Sequence, residues 1–275
     1  PLLVPARKGK KVVTLHDLFF LKSPEMVEGE VRRDYVALVR EHVRRADGVV
    51  CVSEHTAAEA RLLLDVPEEK IGVTPHGIEP FFRETPPRAE VDARLRRLAL
   101  PAGGILYIGS DEKRKNLVTL VMAYLALARK RRDLPSLILA GPGSSWAQGG
   151  SRVGPQILST GWLEREDIRA LLAASRMLVL PSLEEGFGLP VVEAMAAGLP
   201  VVCSRGSALS EVAGGDALLV EPRDANAIAK AIARLVDDRA LADDLRARGR
   251  ERSLQFDWDR TAAQTLAFYR KVLGR

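Results

Sequence analysis

A chain of 275 residues with 47% hydrophobic and 28% charged residues can bury one large core or two modest ones, and we expect two domains. It contains no uncharged apolar run of the roughly 18 residues that a membrane-spanning helix needs, and its first residues lack the apolar region of a signal peptide. We therefore expect a soluble, cytoplasmic protein.

The net charge of +5 is compatible with nucleic acid, an anionic membrane surface or an anionic ligand. The 41 basic residues are interleaved with 36 acidic ones, so a solvated mixed-charge surface explains most of them. Aromatic residues make up 5% of the chain and are not interleaved with basic residues as a stacking platform requires, so we expect no nucleic-acid partner. Two basic helical clusters, RRDYVALVREHVRR and ARKRRD, leave peripheral contact with anionic lipids at the inner face of the membrane open as an alternative to solvated helix faces.

Apolar strand-like runs alternate with helix-like periodic segments, which predicts an α/β fold with parallel sheets. The first part of the chain has three predicted strands, at 11–17, 48–53 and 70–75. Two helices are predicted there, over 30–46 and over 55–65, and Ser53 is placed to cap the second. Residues 80–100 contain a proline pair and no strand pattern, so they are predicted as a linker followed by a short helix.

The second part of the chain is predicted to form a complete doubly wound sheet. Its six strands are predicted at 104–109, 136–141, 156–161, 177–182, 200–204 and 217–222. Its helices are predicted at 116–131, 164–175, 190–198, 207–214, 224–238, 239–255 and 257–273. We thus predict a first domain with its linker over 1–98, a second domain over 99–255 and a terminal helical segment over 256–275.

The two cysteines, Cys51 and Cys203, each lie inside an apolar run, which is typical of a buried free thiol. We expect no disulfide and no metal site.

Parallel sheets bind ligands at the carboxyl ends of their strands, so the loops that follow strands are the places to look for a site. In EEGFGLPVVEAM a predicted strand leads into a turn with Gly186 and Gly188, and Pro190 suits the first turn of the next helix. Free backbone N–H groups beside a helix amino terminus favour a phosphate or diphosphate. Glu185 and Glu193 flank this turn, and carboxylates accept hydrogen bonds from the hydroxyls of a sugar or ribose.

Two further loops follow predicted strands. In GSDEKRKN, Gly109 allows close backbone approach while Arg114 and Lys115 offer positive charge, so this loop is predicted to clamp a diphosphate. In AGPG, Gly141 and Gly143 form a turn for which ligand contact and a plain structural role both stay open.

The segment EGFGLPVVE, from Glu185 to Glu193, resembles the signature of two glutamates separated by seven residues in the retaining glycosyltransferases of family 4, which have the GT-B fold of two Rossmann-like doubly wound domains. GSDEKRKN is similar to the family's GTxxxRKN loop, and TGWLEREDIRALLAAS to its stretch near the nucleotide base. Further matches are VTLHD, VVCVSEHTAAEA, VTPHGIEPFF and FDWDRTAAQTLAFYRKVL. The resemblance implies that the amino-terminal domain is incomplete here, because no glycine-rich strand-turn-helix precedes VTLHD; omission from the sequence and a true fragment are both open.

The resemblance also implies roles for the residues of these motifs. Arg114 and Lys115 would hold the donor diphosphate and neutralise its charge as the bond to the sugar breaks. Glu185 would contact the transferred sugar and Glu193 the ribose. The backbone of the intervening turn would lie beside the sugar and phosphates, which involves Gly186, Phe187, Gly188 and Leu189.

The implied catalytic contact near the donor sugar and the acceptor is His16, with a structural histidine as the alternative. Trp162 and Leu163 would lie near the base, although a core or rim position for the tryptophan is equally open. His76 is predicted to belong to a turn or hinge. In GT-B enzymes the final helix crosses back to the first domain, and its predicted packing anchors are Trp258, Phe268 and Tyr269.

The resemblance implies sugar transfer with retention of anomeric configuration, without a metal ion and without a cofactor. The loop GSDEKRKN and the segments LHD and PHGI look most like bacterial mannosyltransferases that build surface polysaccharides, which predicts GDP-mannose as donor and a glycan or lipid-linked acceptor. UDP-sugars and dTDP-rhamnose are alternatives. Two other classes of function stay open, a sugar-nucleotide epimerase of similar fold and an inactive nucleotide-sugar binding module.

Overall fold

A computed structural model describes residues 9–26, 35–142 and 156–275. The chain divides into two units. The first consists of Pro1–Gly77, Glu185–Phe187 and Phe256–Arg275, and the second of Ile78–Glu184 and Gly188–Gln255. The second unit thus begins before residue 99, where the sequence predicted its start, since the short helix of the predicted linker packs within this unit.

The first unit has a parallel sheet of three strands in the order β1-β2-β3. These strands are Val12–Leu15 (β1), Gly48–Cys51 (β2) and Ile71–Val73 (β3). Its first three helices are Phe19–Lys22 (α1), Val36–Arg45 (α2) and Glu54–Leu64 (α3). The three predicted strands and the helix predicted over 55–65 are confirmed, whereas the start of the helix predicted over 30–46 lies outside the described residues. Apolar side chains of the strands and helices form the core, including Leu18, Val49, Ala57 and Ala60, all fully buried.

The terminal helix of the chain, Trp258–Leu273 (α11), packs within the first unit. Its buried Phe268 lies against two strand glycines, since a Cβ atom added at Gly72 would come within 2.4 Å of the Phe268 ring and one at Gly48 within 2.9 Å. Phe268 is therefore the anchor that the sequence predicted. The other two predicted anchors, Trp258 and Tyr269, are 44% and 42% exposed.

The second unit has a six-stranded parallel sheet in the order β6-β5-β4-β7-β8-β9. Its strands are Ile105–Ile108 (β4), Leu137–Ala140 (β5), Ile157–Gly161 (β6), Met177–Leu180 (β7), Val201–Ser204 (β8) and Leu218–Val220 (β9). Its helices are Arg88–Arg97 (α4), Leu117–Ala128 (α5), Arg165–Ala174 (α6), Leu189–Ala196 (α7), Ala208–Ala213 (α8), Ala225–Asp237 (α9) and Arg239–Ser253 (α10). All six predicted strands are confirmed.

This strand order places a topological switch point between β4 and β7, because the chain winds outward in one direction from β4 and in the other from β7. In open parallel sheets the crevice for ligands lies at such a point, beyond the carboxyl ends of the strands. The two loops that follow β4 and β7 are those with the predicted diphosphate clamp and the predicted glycine turn.

Cys51 and Cys203 are buried in β2 and β8, as predicted for apolar free thiols, and burial raises the pKa of each to about 12. Among the described residues, no helix combines the length and the apolar character that crossing a bilayer requires.

Candidate functional site

The loop after β4 presents the predicted basic pair on a short 3₁₀ helix, Lys113–Lys115. Arg114 and Lys115 are half-buried whereas Lys113 is exposed. The backbone carbonyl of Arg114 accepts a 2.7 Å hydrogen bond from the N–H of Leu183, which follows β7. The loops on the two sides of the switch point are therefore bonded to each other directly.

Asn116 holds this loop in place. Its Nδ2 group donates to the carbonyl of Pro181 at 2.9 Å and to the carbonyl of Pro222 at 2.6 Å, while its Oδ1 accepts from the hydroxyl of Thr119 at 2.6 Å. Pro181 follows β7 and Pro222 follows β9, so one amide side chain joins the ends of three strands. Its backbone is left-handed, with φ of 57°, a conformation that asparagine tolerates better than most residues. From the sequence, Asn116 was predicted only as the first residue of a helix, and its positioning role was missed.

The carboxylate of Glu112 on the same loop neutralises part of the positive charge of Arg114 and Lys115. The Arg114 Nε donates to a Glu112 carboxylate oxygen at 2.8 Å, and the Ser110 hydroxyl donates to the other oxygen at 2.8 Å. Burial raises the pKa of Glu112, but the Ser110 hydrogen bond and the charge of Arg114 outweigh it, so the pKa is lowered overall. An anionic ligand of Arg114 would compete with this carboxylate.

Gly109 lies where β4 ends, and the backbone there is tightly enclosed. A Cβ at Gly109 would lie 2.9 Å from the hydroxyl of Tyr107, and a Cβ at Gly141, after β5, would lie 2.1 Å from the carbonyl oxygen of Gly109. The pair therefore permits close approach of backbone to backbone, which is a structural role for Gly141. Gly143 lies outside the described residues.

The turn after β7 leads into α7 through Gly188, whose φ of +108° excludes most side chains. A Cβ there would also approach Leu209 to 2.3 Å. Gly188 is the N-cap residue of α7 and offers no side chain to cap it, and Pro190 lies in its first turn, as the sequence predicted. Leu189 is 37% exposed. The amino end of α7 thus has backbone donors that no side chain of the N-cap residue satisfies.

Glu193 lies on α7, half-buried, and interacts electrostatically with Glu79 and Arg165. Burial and, second, the charge of Glu79 raise the pKa of its carboxyl to about 7, while the charge of Arg165 works in the opposite direction. Arg165 is paired with Glu79, and its guanidinium lies 4.5 Å from the centre of the Phe81 ring. A half-buried carboxyl without a full charge partner is suited to accept hydrogen bonds from ligand hydroxyls.

Trp162 follows β6 and is 67% exposed, which excludes the core position that the sequence left open. Leu163 beside it is half-buried. The indole therefore offers an open aromatic face at the carboxyl edge of the sheet.

The segment Glu185–Phe187 belongs to the first unit. The carbonyl of Gly186 accepts hydrogen bonds from the buried hydroxyls of Ser53 at 2.7 Å and Thr56 at 3.2 Å. Ser53 also caps α3, as predicted, by accepting from the N–H of Thr56. A Cβ at Gly186 would lie 1.6 Å from the carbonyl oxygen of His16, so only glycine fits here.

The same segment contributes to a cluster of rings at the carboxyl ends of the first unit's strands. His16, after β1, stacks on His76, after β3, with ring centres 5.3 Å apart. The His76 and Phe187 rings are nearly perpendicular with centres 5.1 Å apart, and the centre of the Trp258 ring lies 5.8 Å from that of His76. Burial and, second, the charge of His16 lower the pKa of His76, so this imidazole favours its neutral form.

His76 is a residue that sequence reasoning assigned only to a turn or hinge. The available signal was its position, because His16 and His76 each follow a strand of one parallel sheet, and the carboxyl ends of parallel strands meet at one edge.

The predicted site residues thus fall into two groups. The first unit brings together His16, Gly186 and Phe187, with Glu185 next in sequence. The second unit contains the other predicted residues, which are Gly109, Arg114, Lys115, Trp162, Leu163, Gly188, Leu189 and Glu193.

Known protein families match residues of both units. A family model described as glycosyltransferase family 4 matches residues 2–80, and one described as glycosyl transferases group 1 matches residues 102–238. O-antigen chain mannosyltransferase B of Escherichia coli is 33% identical over 97% of this chain and 72% of its own length. An MMP alpha-(1->4)-mannosyltransferase of Mycolicibacterium hassiacum is 44% identical over 41% of this chain and 28% of its own length.

Among solved structures, sucrose-phosphate synthase from Thermosynechococcus elongatus superimposes with a TM-score of 0.77 at 28% identity, over 96% of this chain and 68% of that one. The chain therefore spans only part of the length of each of these relatives.

Proposed function

Because the chain belongs to the family 4, group 1 glycosyltransferases, a family with the GT-B architecture, we propose that it transfers mannose from GDP-mannose to a hydroxyl of a glycan or lipid-linked acceptor, with retention and without a metal ion. The observation that carries the proposal is the loop of Arg114 and Lys115 after β4, which Asn116 bonds to the backbone that follows β7 and β9. Mannose as the sugar is supported by the names of the two relatives.

In the proposed reaction the bond between the sugar C1 and the phosphate oxygen breaks and a bond from C1 to the acceptor oxygen forms. The acceptor proton leaves on a phosphate oxygen of the departing GDP, so no dedicated general base is needed. Arg114 and Lys115 neutralise the negative charge that grows on the diphosphate as it departs. Because Asn116 fixes their backbone before the ligand arrives, little free energy is lost in ordering them.

The remaining residues are assigned to parts of the donor. Glu193 accepts hydrogen bonds from the ribose hydroxyls, the indole of Trp162 packs against the base, and the amino end of α7 faces the phosphates. Glu185 and the backbone of Phe187 contact the sugar, and His16 contacts the sugar and the acceptor.

A donor panel tests the proposal. The protein is incubated with GDP-mannose, UDP-glucose or dTDP-rhamnose, with and without a methyl α-mannoside acceptor, and released nucleotide and sugar products are followed by NMR. We expect GDP release that increases with acceptor and a product with the donor's anomeric configuration. An epimerised donor without acceptor would support the epimerase instead, and binding without nucleotide release would support an inactive binding module.

A further inference from the structure

The helix that follows the basic loop has an unusual surface. α5 has the sequence LVTLVMAYLALA and is the one helix without a charged residue in the part of the second unit that the structure describes. Its buried face packs in the unit through Leu120, Val121 and Tyr124, and it lies against α9. The other face should be polar if it only met water.

That other face is apolar instead. Val118 is 55% exposed, Met122 60% and Leu125 43%. These positions are separated by four and three residues, so they form one stripe along the helix, about 10 Å long at about 1.5 Å per residue. Arg129 continues the stripe four residues later. A surface helix thus exposes an ordered row of large apolar side chains that ends in a cation.

Positive charge is concentrated at the end of this stripe. Arg129, Lys130 and Arg132 are exposed and form no ion pair with the described residues, whereas Arg131 is held by Asp133 and Asp237. The neighbouring helix α9 adds exposed Lys230 and Arg234. An apolar stripe flanked by unpaired basic residues is the pattern of a helix that lies in the interface of an anionic bilayer.

We propose that α5 docks on an anionic phospholipid membrane, with Val118, Met122 and Leu125 among the lipid headgroups and Arg129, Lys130 and Arg132 on the lipid phosphates. A second copy of the chain fits these observations less well. One helical stripe of three side chains is much smaller than the roughly 800 Å² per partner of a stable interface, and two copies would bring the basic residues together.

Membrane docking of α5 does not depend on the proposed function. It would nevertheless affect the proposed sugar transfer, because α5 is directly connected to the basic loop. Leu117, the first residue of α5, directly follows Asn116 of the basic loop. Docking would hold that loop within about the length of one helix, roughly 18 Å, of the membrane surface. A lipid-linked acceptor would then be concentrated near the donor.

Co-sedimentation with vesicles tests the docking without any sugar donor. We expect the protein to sediment with vesicles of phosphatidylcholine containing phosphatidylglycerol and to stay in solution with phosphatidylcholine alone. Met122→Glu should weaken the partition on the order of tenfold because it places a charge in the stripe. Arg129→Glu combined with Lys130→Glu should weaken it by at least about fivefold for each residue, and added salt should have a similar effect.

Matched controls come from the same unit. Leu254→Glu changes a leucine that is 58% exposed at the end of α10, and Arg96→Glu changes an exposed arginine on α4; both should leave vesicle binding unchanged. Equal loss in Leu254→Glu and Met122→Glu, or no sedimentation of the wild type, would overturn the proposal. So would a dimer in sedimentation velocity that Met122→Glu dissociates. Titration of the same variants with nucleotide measures donor binding independently of vesicle binding. A failure of the membrane proposal can thus be told apart from a failure of the proposed function.

Discussion

The two units present polar groups at the carboxyl ends of parallel strands in different ways. In the second unit, the loop with Arg114 and Lys115 is fixed by hydrogen bonds from one side chain, Asn116, to the backbone of two other strand ends. In the first unit, His16 and His76 are held by ring packing and by the close backbone contact at Gly186. Fixed cations suit a ligand with constant charge such as a diphosphate, whereas a packed, largely neutral imidazole suits hydroxyl groups.

The contact at Gly186 should be the most sensitive point of the first unit. Gly186→Ala places a Cβ at 1.6 Å from a backbone oxygen that cannot move alone, so we expect a loss of about 3 kcal/mol in the free energy of unfolding. Urea denaturation measures this. The control is Gly206→Ala, where nothing lies within 4 Å and only the positive φ of +91° costs about 1 kcal/mol. Equal losses in both variants would mean that this contact does not hold the first unit's site.

The anchor of the second unit should be nearly as sensitive. Asn116→Ala leaves the carbonyls of Pro181 and Pro222 without this donor, and we expect a loss of roughly 2 kcal/mol in unfolding free energy together with weaker nucleotide binding. Asn116→Asp keeps the size of the side chain but removes the donor, so it should behave similarly. The exposed Asn226→Ala should change neither quantity. Normal nucleotide affinity in both Asn116 variants would contradict a positioning role.

Most of the fold could be predicted from the sequence because most strands of the second unit are short apolar runs with glycine, proline or serine close to their ends. The glycine turn and the basic pair were predicted because their chemistry is local in sequence. Asn116 and His76 were missed because their roles depend on partners far along the chain, such as Pro222 for the first and His16 for the second. The start of the second unit was predicted at residue 99 rather than at Ile78 for the same reason. The sequence of α4 resembles a linker helix, and only its packing on α6 assigns it to this unit.

Glu193 should make the stability of the second unit depend on pH. Its pKa is raised from 4.5 to about 7, so the folded state binds the proton more tightly, and the stability it contributes is lost as pH rises from about 4.5 through 7. Glu193→Gln should therefore be more stable than the wild type by about 3 kcal/mol at pH 8 and by less than about 1 kcal/mol at pH 5. Thermal unfolding at both pH values measures the difference. Glu69→Gln, at an exposed position, is the control. A stability difference between Glu193→Gln and the wild type that is the same at both pH values would contradict the raised pKa of Glu193.

The histidine pair of the first unit should give the smallest effect. Because burial lowers the pKa of His76, the folded state binds its proton less well, and stability should fall by less than about 1 kcal/mol as pH falls below 6.5. His16→Ala removes the lesser cause, so the pKa of His76 should rise but stay below 6.5. NMR titration of the imidazole protons measures this. A pKa of His76 that reaches 6.5 in that variant would make charge rather than burial the main cause.

The most direct test of the donor site is calorimetric titration with GDP of the wild type, Lys115→Ala and Lys113→Ala. These two lysines lie on the same 3₁₀ helix, but Lys115 is half-buried on the anchored loop and Lys113 is exposed. We predict that Lys115→Ala weakens GDP binding at least about tenfold, as expected for the loss of a charge-assisted bond, and that Lys113→Ala leaves it within about twofold. Equal binding by all three proteins, or no GDP binding by the wild type, would contradict the assignment of the diphosphate to this loop.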